Sequence, residues 1–137
     1  MQKAQYEKKF RITFADTNAE GNVSQFEYAK YFGIVRELFA MDCIPNFVAE
    51  AGKRYLLKTQ NASYEYIKDF YFGDTMLIRL RVRDLTSASL TLEADFINMV
   101  TSELHARASK QIVYTDVKGI PRRIPAEYRV LLEAMLS

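Results

Sequence analysis

Cys43 is the only cysteine in this chain. That excludes an internal disulfide and any metal site built from several cysteines. It sits among apolar residues, where a buried, inert thiol is expected. Tryptophan is missing as well, whereas nine Tyr and nine Phe are present, so the core should be thick with medium-sized rings. Neither sign of charge dominates: 19 Lys and Arg against 17 Asp and Glu leave a net charge of +2, too little to argue for nucleic acid. No apolar run approaches the roughly 18 residues of a membrane span. The opening MQKAQYEKKF is polar and charged, unlike a signal peptide. A soluble, cytoplasmic protein without membrane or nucleic-acid partners is therefore expected. Repeats, linkers and low-complexity tracts are also absent, so residues 1–137 are read as one domain, long enough to bury a real core. With 49% hydrophobic residues, disorder is excluded.

The pattern that is present reads β-α-β-β-β-β with a closing helix. A strand is expected over residues 6–14, then a polar loop from Asp16 to Ser24. Ser24 is a plausible N-cap, with Glu27 three residues on completing a capping box. The helix that follows should run to Asp42 and break at Pro45 and Asn46, with a short irregular or helical piece over 47–52. Residues 54–69 make a long strand, bent near Asn61-Ala62, and Phe72-Gly73-Asp74 is a turn signal. Met76, Ile78, Leu80 and Val82 alternate with Leu77, Arg79, Arg81 and Arg83, a period of two. Leu90, Leu92, Ala94 and Phe96 alternate likewise, and a last strand spans 104–117. Gly119, Pro121 and Pro125 end it before a helix over 126–136. An early apolar helix followed by antiparallel strands gives an α+β fold in which a curved sheet wraps that helix. In the hairpin turning near Thr86 to Ala88, Arg81 should face Glu93 and Arg79 should face Asp95, cancelling the arginine stripe into cross-strand pairs.

The helix carries an anomaly. At about 100° per residue, Glu27, Lys30 and Glu37 share one side, while Arg36 lies roughly opposite Glu27. Its neighbours there are Tyr28, Ala29, Phe32 and Phe39, and Ala29, Gly33 and Ala40 form a strip of small residues where a sheet or ligand can come close. A buried guanidinium needs a partner. It is a structural ion pair, with Asp16, Glu65 or a second subunit, or it is met by a set of carbonyls, or it faces a pocket that sometimes holds an anion. The loop has two readings as well. Asp16-Thr17-Asn18 and Gly21-Asn22 suit turn and capping chemistry, with Gly21-Asn22 in a tight positive-φ turn. Small polar groups at the mouth of a buried helix, with a cation further in, also suit acyl transfer.

Asp16-Thr17-Asn18-x-x-Gly21-Asn22-Val23, then Tyr28, then Arg36-Glu37-Leu38-Phe39 resembles the N-terminal signature of hot-dog fold acyl thioesterases. These belong to the 4-hydroxybenzoyl-CoA thioesterase-like superfamily, and the match is closest to the thioesterases of enediyne polyketide biosynthesis. The dense part covers about residues 10 to 40; beyond it, the strand pattern and the Gly119-Ile120-Pro121…Ile124-Pro125 ending agree. In most of the parent family the position of Asn18 is an aspartate acting as nucleophile or base, and a His or Tyr often stands where Gln25 is. The enediyne group also lacks that acid, and there the counterparts of Asn18 and Arg36 are implicated, with the Tyr28 counterpart lining the pocket.

The resemblance implies hydrolysis of a carrier-protein-bound polyketide or fatty acyl thioester, with β-ketoacyl polyenes as the enediyne substrates. It also implies a homodimer or homotetramer with the active site between subunits and the sheets paired across the dimer. No cofactor or metal is expected. Backbone N–H groups near Gln25 would meet the thioester oxygen at the helix N-terminus. Asn18 would orient water or donate to the oxyanion, and Arg36 would stabilise the tetrahedral anion or hold a β-keto oxygen. Gly21, Asn22, Val23, Ala29, Phe32 and Gly33 would line the substrate site. Arg122 and Arg123, without obvious partners, are candidates for phosphate or carrier contact. His105, beside Glu103 and Arg107 in an alternating strand, is read as outward or interfacial, which weakens a dehydratase reading. The alternatives are a general acyl-CoA thioesterase using Asp16 as base, and a non-catalytic acyl- or carrier-binding protein.

Overall fold

A central helix spans the full width of one antiparallel sheet. The computed structural model describes residues 5–136; residues 1–4, the start of the polar opening, and residue 137 lie outside it. The strands are β1 (Tyr6–Arg11), β2 (Leu56–Tyr66), β3 (Thr75–Arg83), β4 (Ser89–Asn98) and β5 (Leu104–Thr115). The helices are α1 (Gln25–Cys43), α2 (Phe47–Glu50) and α3 (Ala126–Ala134). The sheet has the order β1-β3-β4-β5-β2, so β1 and β2 are its edges.

The expected period of two places one face of the sheet against α1. Met76, Ile78, Leu80 and Val82 are all fully buried at 0% exposure, and Leu92, Ala94, Phe96, Ala106, Ala108 and Ile112 continue that face across β4 and β5. On α1, Tyr28, Phe32, Val35 and Phe39 recur at helical spacing and are buried against it. Rings show how far the sheet curls around the helix. At the β1 edge, Tyr6 packs on Phe39 and Phe10 on Tyr31. At the β2 edge, Tyr66 packs on Tyr28 and Tyr64 on Phe32. One helix touches both edges, as the hot-dog arrangement requires. Each large side chain so buried contributes about 1.5–3 kcal/mol, so packing rather than helix propensity holds α1 in place.

The other face is polar. Arg81 is opposite Glu93 and Arg79 opposite Asp95, the register expected from the hairpin. Arg81 bridges Glu93 at 3.6 Å and Asp95 at 3.0 Å, and Arg107 joins Asp95 at 3.1 Å. Arg79 departs from the expected pairing: its side chain leans across to Glu7 on β1, 3.4 Å away. Asp95 is already shared by two other arginines, which leaves Glu7 as the free acceptor.

Local differences from the sequence reading cluster at element ends. The first strand stops at Arg11, and Phe14–Asp16 forms a 3-10 turn instead of continuing it. Ser24 does cap α1, accepting from the Phe26 N–H at 3.3 Å. Glu27 does not close a capping box, because it turns to Lys30 at 2.6 Å. The bend expected near Asn61-Ala62 is a β-bulge: register against β5 shifts between Thr59 and Asn61, leaving Gln60 as the extra residue.

Candidate active site

The loop before α1 is a closed, hydrogen-bonded turn. Thr17 and Val23 form a bridge across it, and Asn22 bridges to Tyr71. Within it the Gly21 N–H donates to the Asn18 carbonyl at 3.0 Å, and the Asn18 N–H donates to the Asn22 carbonyl at 2.9 Å. Gly21 has φ +88°, a conformation that disfavours a side chain. Asn18 Oδ1 accepts the Glu20 N–H at 2.9 Å, an Asx turn. The partner is an N–H, so the oxygen is the engaged atom and the Asn18 amide Nδ2 is left as a donor without a partner among the described residues. Asn18 is exposed; Asn22 is half-buried, and its Oδ1 has no partner among the described residues.

Asp16 is already occupied. It is buried, with Oδ2 accepting from the Thr13 N–H and hydroxyl at 3.1 Å each. Lys30 approaches its Oδ1 at 3.5 Å. Burial pushes its pKa up, but the Thr13 amide, the Tyr31 and Thr13 hydroxyls and the Lys30 charge outweigh that and hold it below the ordinary carboxylate value. Asp16 ties the 3-10 turn to the first turns of α1. It is not paired with Arg36.

Gln25 is the first residue of α1, and its backbone N–H has no acceptor among the described residues. The helix therefore presents a free donor at its positive end. Tyr28, one turn in, is buried among Tyr66, Phe70 and Phe96. Burial and the Asp69 charge push its phenol up to about 12, so it is a neutral hydroxyl at physiological pH. Val23 and Phe32 are buried, the latter completely, whereas Ala29 is exposed. A side chain at Gly33 would meet nothing within 4 Å, so no other part of this chain comes close there.

Arg36 points inward from α1 to the β2 edge. Its two terminal nitrogens donate to the Leu57 carbonyl and the Thr59 hydroxyl, each at 2.7 Å. Neither Asp16 nor Glu65 pairs with it, so the ion pair considered for it does not form within the described residues. Burial depresses its pKa and the neighbouring Glu37 raises it; a guanidinium stays charged through such shifts. The side chain separates two spaces. On the inner side is a narrow apolar cavity of about 50 Å³ bounded by α1, the sheet and α3, with Leu90, Leu92, Ile112 and Leu132 in its walls. On the outer side a groove of about 390 Å³ runs past Gly33, Ala40 and Gly52.

Asn18 and Arg36 are not brought together in one chain. The eleven steps from Gln25 to Arg36 rise roughly 16 Å along the helix, and Arg36 is turned to β2, away from the loop. Two other expectations change. His105 is buried, 5% exposed, against Phe70 with ring centres 4.5 Å apart; the β2–β3 connection folds over it, which strand alternation does not reveal. Arg122 is not partnerless but bridges Asp116 at 3.0 Å, across the turn that brings residues 116 and 122 together. Arg123 is exposed. The acceptors of Arg36, Leu57 and Thr59, escaped the sequence reading. So did Lys110, which shares the helix-facing side of β5 with Ala106, Ala108 and Ile112; a lysine breaking an inward apolar alternation was the available signal. Among the described residues no cluster of His, Cys, Asp and Glu is placed to hold a metal, and no helix is long and apolar enough to cross a membrane.

Comparison with known proteins agrees with this fold. A dynemicin thioesterase, whose crystal structures concern polyene binding, superposes with TM-score 0.89 at 22% identity, covering 98% of this chain and 99% of that one. A 1,4-dihydroxy-2-naphthoyl-CoA thioesterase from Synechocystis gives 0.82 at 15% identity, over 94% and 96% of the two chains. A gentisyl-coenzyme A thioesterase gives 0.80 at 24% identity, over 92% and 98%. No curated protein sequence matches the chain. The sequence profile of the thioesterase-like superfamily, however, matches residues 12–134. With the hot-dog sheet around its helix, the chain belongs to the thioesterase-like superfamily and is a thioester hydrolase.

Proposed function

We propose that this protein releases an apolar acyl chain from a thioester, carried by an acyl carrier protein or coenzyme A, by direct attack of water. The observation that carries this reading is Arg36: a half-buried cation without a carboxylate partner among the described residues, standing where an apolar cavity meets an open groove. The groove, at about 390 Å³, falls within the roughly 300–1,000 Å³ of small-molecule sites. The inner cavity is too narrow for a long chain unless its walls move.

In the reaction, water oxygen adds to the thioester carbon and the carbonyl becomes an oxyanion. Collapse of that anion breaks the C–S bond, giving a carboxylic acid and a thiol, and the water proton passes to the leaving sulfur through solvent. The free Gln25 N–H at the helix N-terminus and the Asn18 amide Nδ2 are donors for the oxyanion, and Arg36 supplies the positive charge. Such preorganised donors are worth about 2.7–4 kcal/mol each at the transition state. Thiolate leaves readily, so no strong base is required. Asp16 is poorly suited to be one, since its carboxylate is engaged and held ionised by its partners. Asn18 and Arg36 are far apart along one chain, so the reading places the site between two subunits, as the resemblance implies.

The likeness to the dynemicin thioesterase, together with Asn in place of an acid at position 18, favours a polyketide of the enediyne type, a β-ketoacyl polyene, as the acyl group. The test is hydrolysis of matched acyl-carrier-protein and acyl-CoA thioesters by the purified protein, followed by thiol release. Turnover of carrier-bound polyene or fatty acyl chains is expected. Absence of turnover with both carriers overturns the proposal.

A further inference from the structure

Lys110 is misplaced for an ordinary core. It lies on the helix-facing side of β5, opposite Ala62 of β2 and Leu92 of β4, with Ala108 and Ile112 two residues away on the same face. The side chain is half-buried, and its Nζ sits 4.5 Å from the centre of the Phe32 ring. Among the described residues the ammonium makes neither hydrogen bond nor ion pair. Phe32 is one helical turn before Arg36 on the same face of α1, so the two cations are neighbours. Lys110 feels this: burial, then the Arg36 charge, lowers its pKa, with only the exposed Glu37 acting the other way. Arg36 spends two of its five N–H donors on β2. Two like charges therefore share a partly desolvated corner, with donors to spare and no carboxylate partner among the described residues. Within one chain the cation–π contact with Phe32 is all that offsets this, and a methionine at position 110 would fill the same layer without desolvating a charge.

We infer that Lys110 and Arg36 together form an anion clamp that binds the carboxylate head of a free, apolar carboxylic acid, with Lys110 as a second cation of the site. The inference rests on the thioesterase reading, in which such an acid is the product. A carboxylate fits better than a phosphate because the surroundings of the clamp are apolar: Leu57, Leu92 and Ile112 line the cavity that begins at Arg36. A thioester carbonyl is neutral, so the clamp favours product over substrate once the C–S bond has broken, and free acids should inhibit turnover. A small, amphipathic acid of the right length is a ligand in its own right.

The test is titration calorimetry with decanoate, decanamide and inorganic phosphate against wild-type protein, Lys110→Met and Lys110→Arg, with a thermal melt of each. A charge-assisted contact of this kind should make decanoate bind at least about tenfold tighter than decanamide. Lys110→Met should lose that preference while still binding the amide, Lys110→Arg should keep it, and Lys110→Met should melt no lower than wild type. Retention of the preference in Lys110→Met overturns the clamp, as does displacement of decanoate by millimolar phosphate. A lower melting point or a smaller assembly in Lys110→Met also overturns it, since Lys110 would then be neutralising a carboxylate of a second copy. Binding is read without turnover, so failure of the clamp and failure of the hydrolase reading appear in separate experiments.

Discussion

Arg36 and Asp16 show how differently two charges near one helix are used. Arg36 is held by neutral acceptors, the Leu57 carbonyl and Thr59 hydroxyl at 2.7 Å, which fix its position without cancelling its charge. Arg36→Ala should lower kcat/KM by about 10²–10³, the cost of one oxyanion-stabilising group, while the melting temperature changes little. Steady-state hydrolysis with a parallel melt checks this, and retained activity removes Arg36 from the mechanism. Asp16 is the reverse case, a carboxylate neutralised by its surroundings. Its pKa is lowered from the ordinary 3.8, so the folded state binds that proton less readily than the unfolded chain. The resulting stability is complete above the unfolded pKa and disappears as pH falls through the folded one. Asp16→Asn should therefore be less stable than wild type at neutral pH, with the difference shrinking toward acid; urea midpoints from about pH 7 down to pH 3 read it directly. Equal midpoints throughout contradict the latch. The inward direction of Arg36 was legible from helical spacing alone. What it touches was not, because its acceptors lie over twenty residues away on a strand whose facing depends on one bulge.

That bulge belongs to the scale of elements. Were Gln60 paired in a regular ladder, Leu57, Thr59, Asn61 and Ser63 would share a face; with Gln60 bulged out, Leu57, Thr59, Ala62, Tyr64 and Tyr66 turn toward α1. The device lets β2 offer Arg36 its acceptors at one end and pack tyrosines on Phe32 and Tyr28 at the other. Deleting Gln60 should close the ladder, Thr59 opposite Ile112 and Asn61 opposite Gln111, with the same residues facing α1; inserting one residue between Ala62 and Ser63 should instead flip the far half of β2 and lose the tyrosine packing, costing burials of about 1.5–3 kcal/mol each. By circular dichroism the insertion should lower the melting temperature by about ten degrees or more and the deletion by much less; equal melts for the two variants would show that the facing of β2 does not depend on this alternation. The strands themselves were readable wherever one face is apolar and the other charged: β3 and β4 fall within a residue or two of expectation, and their register followed from pairing Arg81 with Glu93. Reading failed where connections decide the outcome. His105 alternates as an outward residue yet is covered by Phe70, and Arg122 finds Asp116 across a turn. Those contacts are made by loops, whose paths no periodicity encodes.

At the scale of the whole molecule, two features stay incomplete in a single chain. The first is the edge of β2, eleven residues long with β5 as its only neighbour among the described residues, a template for pairing with another strand. The second is the proposed site, whose loop donor at Asn18 precedes the start of α1 while Arg36 lies about 16 Å along it. In the dimer that the proposed function calls for, antiparallel pairing of two copies through β2 would answer both needs, covering the edge and setting the Arg36 side of one subunit against the loop of the other. An isologous dimer built this way contains two such composite sites. Asn18→Ala and Arg36→Ala should each be nearly inactive as homodimers. Co-expressed with different tags and purified as the mixed dimer, they should regain about half of wild-type turnover, because one composite site then receives both intact residues. If each site were built within one chain, every site of the mixed dimer would carry a lesion and no activity would return. Recovery in the mixed dimer is thus the result that distinguishes a site assembled between subunits from one contained in the fold.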